Sequence, residues 1–329
     1  MQAPTFLLTA VLCLSSCFGP SVQECKEEYR RREPNHIACR PPNQNCKKTK
    51  SGLSRGERFA VLFHHNHWRG VVARGEQNAT WKQRGNRYAP ARNMLKLIWD
   101  NELASVAQAR ADQCTDAHGS IDTNDYLKRF TTKFNFTGEN QAVRLSNVSF
   151  TGRNWSGMIF TWYSEIRYYP TDHIMEYKPE CHAHSEHFSQ MVWAATQYVG
   201  CGATDYTIDP KAELPYLQLY VCNYGPGGNV LTTPLYLPGD DDTICSSCPK
   251  GTACNKKTGL CELGKGARES QEASEEPAPD ALHKEPKPPD EGRPTSARRN
   301  GADRPAIVRL PCAVTWGAAV SAALRALLF

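Results

Sequence analysis

The sequence predicts an α+β fold, an α-β-α sandwich in which helices lie on both faces of an antiparallel β-sheet. Apolar residues recur at helical spacing in three segments between residues 54 and 169, and two apolar, β-rich runs follow at 198–208 and 215–224. The helix and strand patterns do not alternate as they would in βαβ units. A layered domain with an antiparallel sheet accommodates this order of elements.

The helices are predicted from local signals along the chain. Ser54 and Glu57 match a capping box, in which each side chain binds the backbone N–H group of the other residue, so a helix begins there. A second helix is predicted over 101–114 and a third over 155–169, because apolar side chains recur every three or four residues. A short helical segment is expected at 190–197, before the two strands.

The N-terminus and the cysteine content predict a secreted protein. Residues 1–21 contain an apolar run typical of a signal peptide and too short to span a bilayer. The chain has 14 cysteines, a number typical of oxidising compartments. Four Asn-x-Ser/Thr sequons are predicted glycosylation sites: Asn78, Asn135, Asn147 and Asn154. We therefore expect an extracellular glycoprotein.

The region after residue 236 divides into three parts. Residues 240–262 form a short cysteine-rich module. Residues 263–303 predict a disordered linker, because they contain too little apolar surface to offset the entropy lost on folding. Residues 304–329 are apolar and follow a small-residue triplet at 300–302, which favours a glycosylphosphatidylinositol (GPI) anchor signal over a weak transmembrane helix or a non-functional tail.

The charge pattern argues against nucleic-acid binding. The formal net charge is +5, and basic residues concentrate at 47–58. This stretch lacks the interleaved aromatic residues and the fold motifs of a nucleic-acid-binding protein. It is interpreted as a solvated basic surface.

Four sequence patterns occur in order along the globular region: HNHWR at 65–69, GEN at 138–140, EHFSQMVWAAT at 186–196 and LYVCNYGPGGNV at 219–230. Together they resemble the signatures of the CAP superfamily (cysteine-rich secretory proteins, antigen 5 and pathogenesis-related proteins). The resemblance is strongest to the antigen 5, or venom allergen 5, branch from arthropods. It extends over residues 22–236 and implies that the domain has the sandwich fold of this family.

The resemblance implies a central site of two histidines and two glutamates: His118, His187, Glu139 and Glu165. Two imidazoles, each oriented by a carboxylate, can bind Zn²⁺ or another divalent cation. The four residues could instead form a buried polar network without a ligand, or a hydrolytic site in which a glutamate activates a metal-bound water. His65 and Arg69, one helical turn apart, are interpreted as core residues.

The antigen 5 resemblance also implies three disulfides: Cys25–Cys39, Cys46–Cys114 and Cys201–Cys222. The cysteines of the module could form two more bridges among themselves: Cys245, Cys248, Cys254 and Cys261. Cys181 is then a free thiol or an intermolecular link. The module resembles the hinge of cysteine-rich secretory proteins, but the channel-blocking domain of those proteins is not recognisable after it, so an ion-channel toxin is not expected.

The leading hypothesis is a non-enzymatic extracellular protein, secreted or GPI-anchored, that binds a sterol or other lipid and a divalent cation. This expectation follows from the family resemblance. One alternative is a metal-dependent hydrolase or protease. Another is a protein-interaction module that acts as a protease inhibitor, an allergen or a modulator of host immunity. Membrane contact is expected only through the lipid anchor.

Overall fold

The computed structural model describes residues 25–77, 88–114, 126–178 and 185–264. The predicted signal peptide, nearly all of the predicted linker and the whole apolar tail lie outside these residues, as do Asn78, His118 and Cys181. Within the described part of the chain, no helix combines the length and the apolar character needed to cross a membrane.

A five-stranded sheet forms the centre of the fold. Its strands are β1 (Lys47–Ser51), β2 (Ile98–Trp99), β3 (Gly138–Ser146), β4 (Tyr198–Thr207) and β5 (Tyr216–Gly225). The order β1-β4-β5-β3 has antiparallel neighbours throughout, and β2 pairs in parallel with the first residues of β4. The two strands predicted from apolar runs are therefore the central pair. Strand β3 is not evident from the sequence because it lies at an edge and carries many polar residues.

The helices cover both faces of this sheet, which confirms the predicted sandwich. Within the described residues, the α-helices are α1 (Glu27–Arg32), α2 (Arg55–Ala73), α3 (Asn101–Ala111), α4 (Trp155–Tyr163) and α5 (Glu186–Met191). Single 3₁₀ turns occur at Ile37–Cys39, Tyr126–Lys128, Ser164–Tyr168, Thr171–His173 and Asp241–Thr243. The Ser54 capping box opens α2 as predicted. The predicted third helix becomes a 3₁₀ turn after Tyr163, and the helix predicted over 190–197 is wrong, since α5 ends at Met191.

Helix α3 lies directly on one face of β4. Gly200 and Gly202 permit this approach, because a Cβ atom at Gly200 would lie 2.1 Å from the backbone nitrogen of Ala104, and one at Gly202 would lie 2.4 Å from Cα of Gln108. The apolar core on this face is completed by Ala107, Ala111, Leu217, Leu219 and Val221. A larger side chain at either glycine would push α3 away from the sheet.

The opposite face of the sheet packs against α2, α4 and α5. Tyr220, Cys222 and Tyr224 of β5 point to this side, in alternation with the residues that face α3. They share a buried core with Trp162 of α4 and Phe188 of α5. The candidate site lies on this side of the sheet, at the junction of α4, α5 and the start of β3.

Arg69 of α2 is fully buried and is held by backbone carbonyl groups. Its guanidinium donates to the carbonyl oxygens of Leu95, Met191, Trp193 and Thr196 at 2.5–3.2 Å. Burial lowers the pKa of Arg69 to about 9. These bonds fix the segments before β2 and after α5, so the contacts of Arg69 are those of a core residue.

The cysteine-rich module packs against the main domain. Strands β6 (Thr252–Asn255) and β7 (Leu260–Leu263) form a hairpin, and the module contains the disulfides Cys245–Cys254 and Cys248–Cys261. The N–H of Lys96 donates to the Cys261 carbonyl at 2.9 Å, and Arg74 Nη1 donates to the Thr258 carbonyl at 2.7 Å. The three bridges implied by the family resemblance are also formed. The first residue of the predicted linker, Leu263, belongs to this hairpin.

Candidate functional site

Glu165 and His187 form the centre of the candidate site. Glu165 lies in the 3₁₀ turn after α4, and its Oε1 is 2.8 Å from His187 Nδ1. Its Oε2 accepts from the backbone N–H groups of His187 at 3.1 Å and of Phe188 at 3.2 Å. The first N–H groups of a helix need such an acceptor. A carboxylate from a distant turn therefore sets the start of α5, which explains why the local sequence did not predict it.

The same contact fixes the protonation of the His187 ring. A carboxylate can only accept, so Nδ1 carries the proton, and Nε2 is left as the nitrogen that can bind a cation or a ligand proton. Burial alone would lower the pKa of His187, but the Glu165 carboxylate raises it above its ordinary value. The His187 side chain keeps 37% of its surface exposed and stacks on Trp162 at 6.1 Å. Carboxylate-oriented histidines of this kind are typical metal ligands.

A hydrogen-bonded chain connects His187 to the core. The side-chain nitrogen of Asn140 donates to the His187 carbonyl at 3.0 Å and to the Tyr224 hydroxyl oxygen at 3.1 Å. The Tyr224 hydroxyl lies 2.9 Å from His65 Nε2, and His65 Nδ1 lies 2.8 Å from the Val61 carbonyl. This chain joins one residue from each of the four sequence patterns that indicated the family.

Glu139 lies on the other side of the sheet from His187. Successive side chains of a strand alternate between faces, and Asn140 faces α5, so Glu139 points toward the face covered by α3. Its Oε1 accepts from Gln141 Nε2 at 2.5 Å and lies 3.5 Å from Arg129 Nη1. The side-chain nitrogen of Asn223, oriented toward the carboxylate, is 2.9 Å from Glu139 Oε2.

The structure thus brings together two of the four predicted site residues, Glu165 and His187. It places Glu139 on the opposite face, while His118 lies outside the described residues. Across residues 25–77, 88–114, 126–178 and 185–264, no group of three His, Cys, Asp or Glu side chains is arranged to hold a metal ion. Asn140 and Tyr224 were not predicted as site residues. Both lie within the matched sequence patterns, and this was the one sequence feature that could have indicated their role.

Three of the predicted glycosylation sites lie on the described surface. Asn135, Asn147 and Asn154 are all exposed. Asn135 Oδ1 accepts from Arg32 Nη1 at 2.8 Å, and Asn154 Oδ1 caps α4 by accepting from the Gly157 N–H at 2.8 Å. These bonds use the side-chain oxygen, whereas a glycan is attached to the side-chain nitrogen. Glycosylation of these residues stays a prediction.

A strip of aromatic rings runs along the outer side of α2 and α4. We call it the aromatic strip, and its members are Phe59, Phe63, His67, Trp68 and Phe160. Neighbouring rings of the strip are in contact, with centroids 4.6–6.4 Å apart. Phe59 and Phe160 are 49% and 43% exposed. Among the described residues, the strip is exposed to solvent at Phe59 and Phe160 and half-buried at the three rings between them.

Comparison with known proteins identifies the family. Residues 62–224 match the model of the cysteine-rich secretory protein (CAP) family. The chain is 32% identical to venom allergen 5 of Vespa magnifica, over 70% of this chain and 94% of that protein. It is 35% identical to the CRISP/Allergen/PR-1 protein of Trittame loki and to venom allergen 5 of Tityus serrulatus, over 73% and 80% of this chain. It spans only 56% and 60% of the length of these two relatives.

One solved structure shows the same fold, and a second is similar at a lower score. The structure of BmVAL-1 is 24% identical, with a TM-score of 0.50, and the match covers 64% of this chain and 96% of that chain. A crystal structure of NaASP2 with Zn²⁺ is 23% identical, with a TM-score of 0.47, over 64% of this chain and 97% of that chain. The disulfides and the venom allergen relatives are typical of extracellular proteins. With the sandwich fold, the family-model match and the extensive identity to venom allergens, the chain belongs to the CAP family, close to antigen 5.

Proposed function

We propose that the chain is a non-enzymatic extracellular protein that binds a small apolar ligand of the fatty acid or sterol class on the aromatic strip. The observation that carries this proposal is the continuous run of rings from Phe59 to Phe160, open to solvent at both of these residues. Contiguous exposed apolar surface on a soluble protein typically marks a binding site.

The surroundings of His187 favour a binding role over catalysis by a serine or cysteine nucleophile. Ser189 is the hydroxyl residue nearest to His187 along α5, and its Oγ lies 2.7 Å from Asn229 Oδ1 and 3.1 Å from the Glu186 carbonyl. The Ser189 hydroxyl is therefore bonded to these two oxygens and is not placed for His187 to activate it as a nucleophile. Five disulfides bind ten cysteines, so none of these ten is available as a thiolate nucleophile.

Ligand binding can be tested with a fluorescent fatty acid and a fluorescent sterol. The Phe59→Ser/Phe160→Ser variant should bind at least about tenfold more weakly, because it removes two large apolar contact surfaces. Val148→Ser is the matched control, since Val148 is 66% exposed but lies after β3 and outside the strip. Absence of binding by the wild-type protein, or an equal loss in the control, would refute the proposal.

A second function, divalent-cation binding, is favoured by the Glu165–His187 contact. The pair fits one half of a zinc site, since Glu165 holds Nδ1 and leaves Nε2 free to coordinate. A complete site needs further ligands, and His118 is the predicted second histidine. A bound cation would provide an electrophilic centre for an anionic group of a ligand.

Calorimetric titration with Zn²⁺ tests this second function. The wild-type protein should bind zinc, and His187→Ala should abolish the binding. His64→Ala is the control, because His64 is a half-buried histidine on α2 that lies outside the pair. If His64→Ala weakens binding as much as His187→Ala, the cation binds elsewhere. Hydrolysis of an ester or peptide by the wild-type protein that His187→Ala abolishes would favour the hydrolase alternative.

A further inference from the structure

We infer that Asn140, held in place by Tyr224, is a positioning residue for His187. It thereby sets the position of His187 Nε2, the ring nitrogen proposed to bind a cation. The inference rests on the proposed cation-binding function of His187. Its test includes measurements on the metal-free protein, so that the two proposals can fail separately.

Both protons of the Asn140 amide are engaged. Asn140 is almost fully buried, and its nitrogen donates to the His187 carbonyl at 3.0 Å and to the Tyr224 oxygen at 3.1 Å. A carbonyl oxygen can only accept, so the nitrogen and not the oxygen of Asn140 must face His187. The two acceptors together select one orientation of the amide.

The core residue His65 sets the direction of this chain of bonds. His65 Nδ1 faces the Val61 carbonyl, an acceptor, so Nδ1 carries the proton and Nε2 accepts. Tyr224 must then donate its hydroxyl proton to His65 Nε2, which leaves the Tyr224 oxygen to accept from Asn140. Each donated proton of Asn140, Tyr224 and His65 has one acceptor, and with His65 neutral no alternative arrangement keeps all of the bonds.

His187 is consequently held from two sides. Glu165 binds its backbone N–H and its ring Nδ1, and Asn140 binds its carbonyl from β3. These contacts fix the first turn of α5 relative to both α4 and the sheet. Binding sites need their ligand atoms placed to within about 0.5 Å, and neighbouring hydrogen bonds provide that placement.

The competing interpretation is that these bonds stabilise the core and have no specific effect on His187. Tyr220 offers a matched control for this possibility. It lies on the same face of β5 as Tyr224, is equally buried, and its hydroxyl accepts from the Asn154 N–H at 3.1 Å and donates to Gln218 Oε1 at 2.8 Å. Replacing either tyrosine by phenylalanine removes one buried hydroxyl with two partners, but only Tyr224 connects to Asn140.

The experiment compares Asn140→Asp, Tyr224→Phe and Tyr220→Phe in the protein without metal. Nitrogen NMR of the His187 ring reports which ring nitrogen carries the proton, and hydrogen exchange reports the Phe188 amide that binds Glu165. We expect the first two variants to lose the single Nδ1–H form and to exchange the Phe188 amide about tenfold faster. Tyr220→Phe should leave both at wild-type values even where it lowers the melting temperature. Wild-type values in Tyr224→Phe, or equal changes in Tyr220→Phe, would overturn the inference.

Zinc affinity provides the second readout. Asn140→Asp should weaken binding by about 10- to 100-fold, the range observed when groups that orient metal ligands are replaced. If the wild-type protein binds no zinc, the cation proposal fails, and the ring and exchange data alone decide the role of Asn140. If Asn140→Asp does not fold, Tyr224→Phe, which deletes a single oxygen atom, still decides it.

Discussion

Replacement of Glu165 by glutamine should weaken both the fold and the candidate site. Glutamine keeps the shape, but it carries no charge and has one acceptor oxygen where the carboxylate has two. The carboxylate now serves three donors: His187 Nδ1 and the N–H groups of His187 and Phe188. Hydrogen bonds to a charged group contribute roughly 1.5–3 kcal/mol and neutral ones about 1 kcal/mol. The free energy of unfolding should therefore fall by at least about 2 kcal/mol near pH 6.

The effect of Glu165→Gln should depend on pH in one direction. Glu165 raises the pKa of His187 above its ordinary value, although burial opposes this. A raised pKa contributes stability that is fully present below the unfolded-state pKa of about 6.5 and is lost as the pH rises through the folded-state value. The difference in unfolding free energy between wild type and variant should thus be larger at pH 5.5 than at pH 8.5.

Urea denaturation at these two pH values measures the effect. Glu176→Gln is the control, because Glu176 is an exposed glutamate paired with Lys178 at 3.2 Å, and exposed pairs contribute little. The reasoning is refuted if Glu165→Gln costs no more than Glu176→Gln at pH 5.5, or if its cost is larger at pH 8.5. Zinc affinity of the variant should also fall by about 10- to 100-fold.

Three further predictions concern the core. Arg69→Met should destabilise the domain by roughly 3–5 kcal/mol, because several buried carbonyl groups lose their hydrogen-bond donor. Urea denaturation measures this cost, and a value below about 1 kcal/mol would contradict the prediction. Burial lowers the pKa of His65 to about 4. Between pH 6.5 and 4, His65 therefore takes up a proton in the unfolded chain but stays neutral in the folded one. Stability should fall by up to about 3 kcal/mol from pH 6.5 to 4, and an NMR titration of His65 should give the lowered pKa. Gly202→Val should lower the melting temperature, whereas Gly56→Ala, at an open helical position, should not.

Much of the sandwich could be predicted because its signals are local. The capping box at Ser54 needs only residues three positions apart, and it opens α2 in the structure. The two central strands were visible because buried strands require continuous apolar runs. Helix α5 was misplaced for the opposite reason, since the acceptor for its first N–H groups is Glu165, which lies 22 residues earlier in the chain.

The candidate site shows the same division between local and distant information. The family patterns indicated which residue types belong to the site, and the contact between Glu165 and His187 is formed. They could not indicate the face of the sheet on which each residue lies, because this depends on the register of β3 against β5. That register pairs Glu139 with Asn223 and places Asn140 toward α5.

The sequence by itself determined the α-β-α order, the disulfide-rich character and the CAP family, because these depend on local periodicity, composition and short motifs. The tertiary structure decided which nitrogen of His187 faces away from Glu165, and that Asn140 and Tyr224 connect His187 to the core. It also decided that five aromatic side chains of α2 and α4 form one strip, exposed at Phe59 and Phe160. Each of these depends on hydrogen bonds or packing between distant segments. Such contacts exist only after the chain has folded.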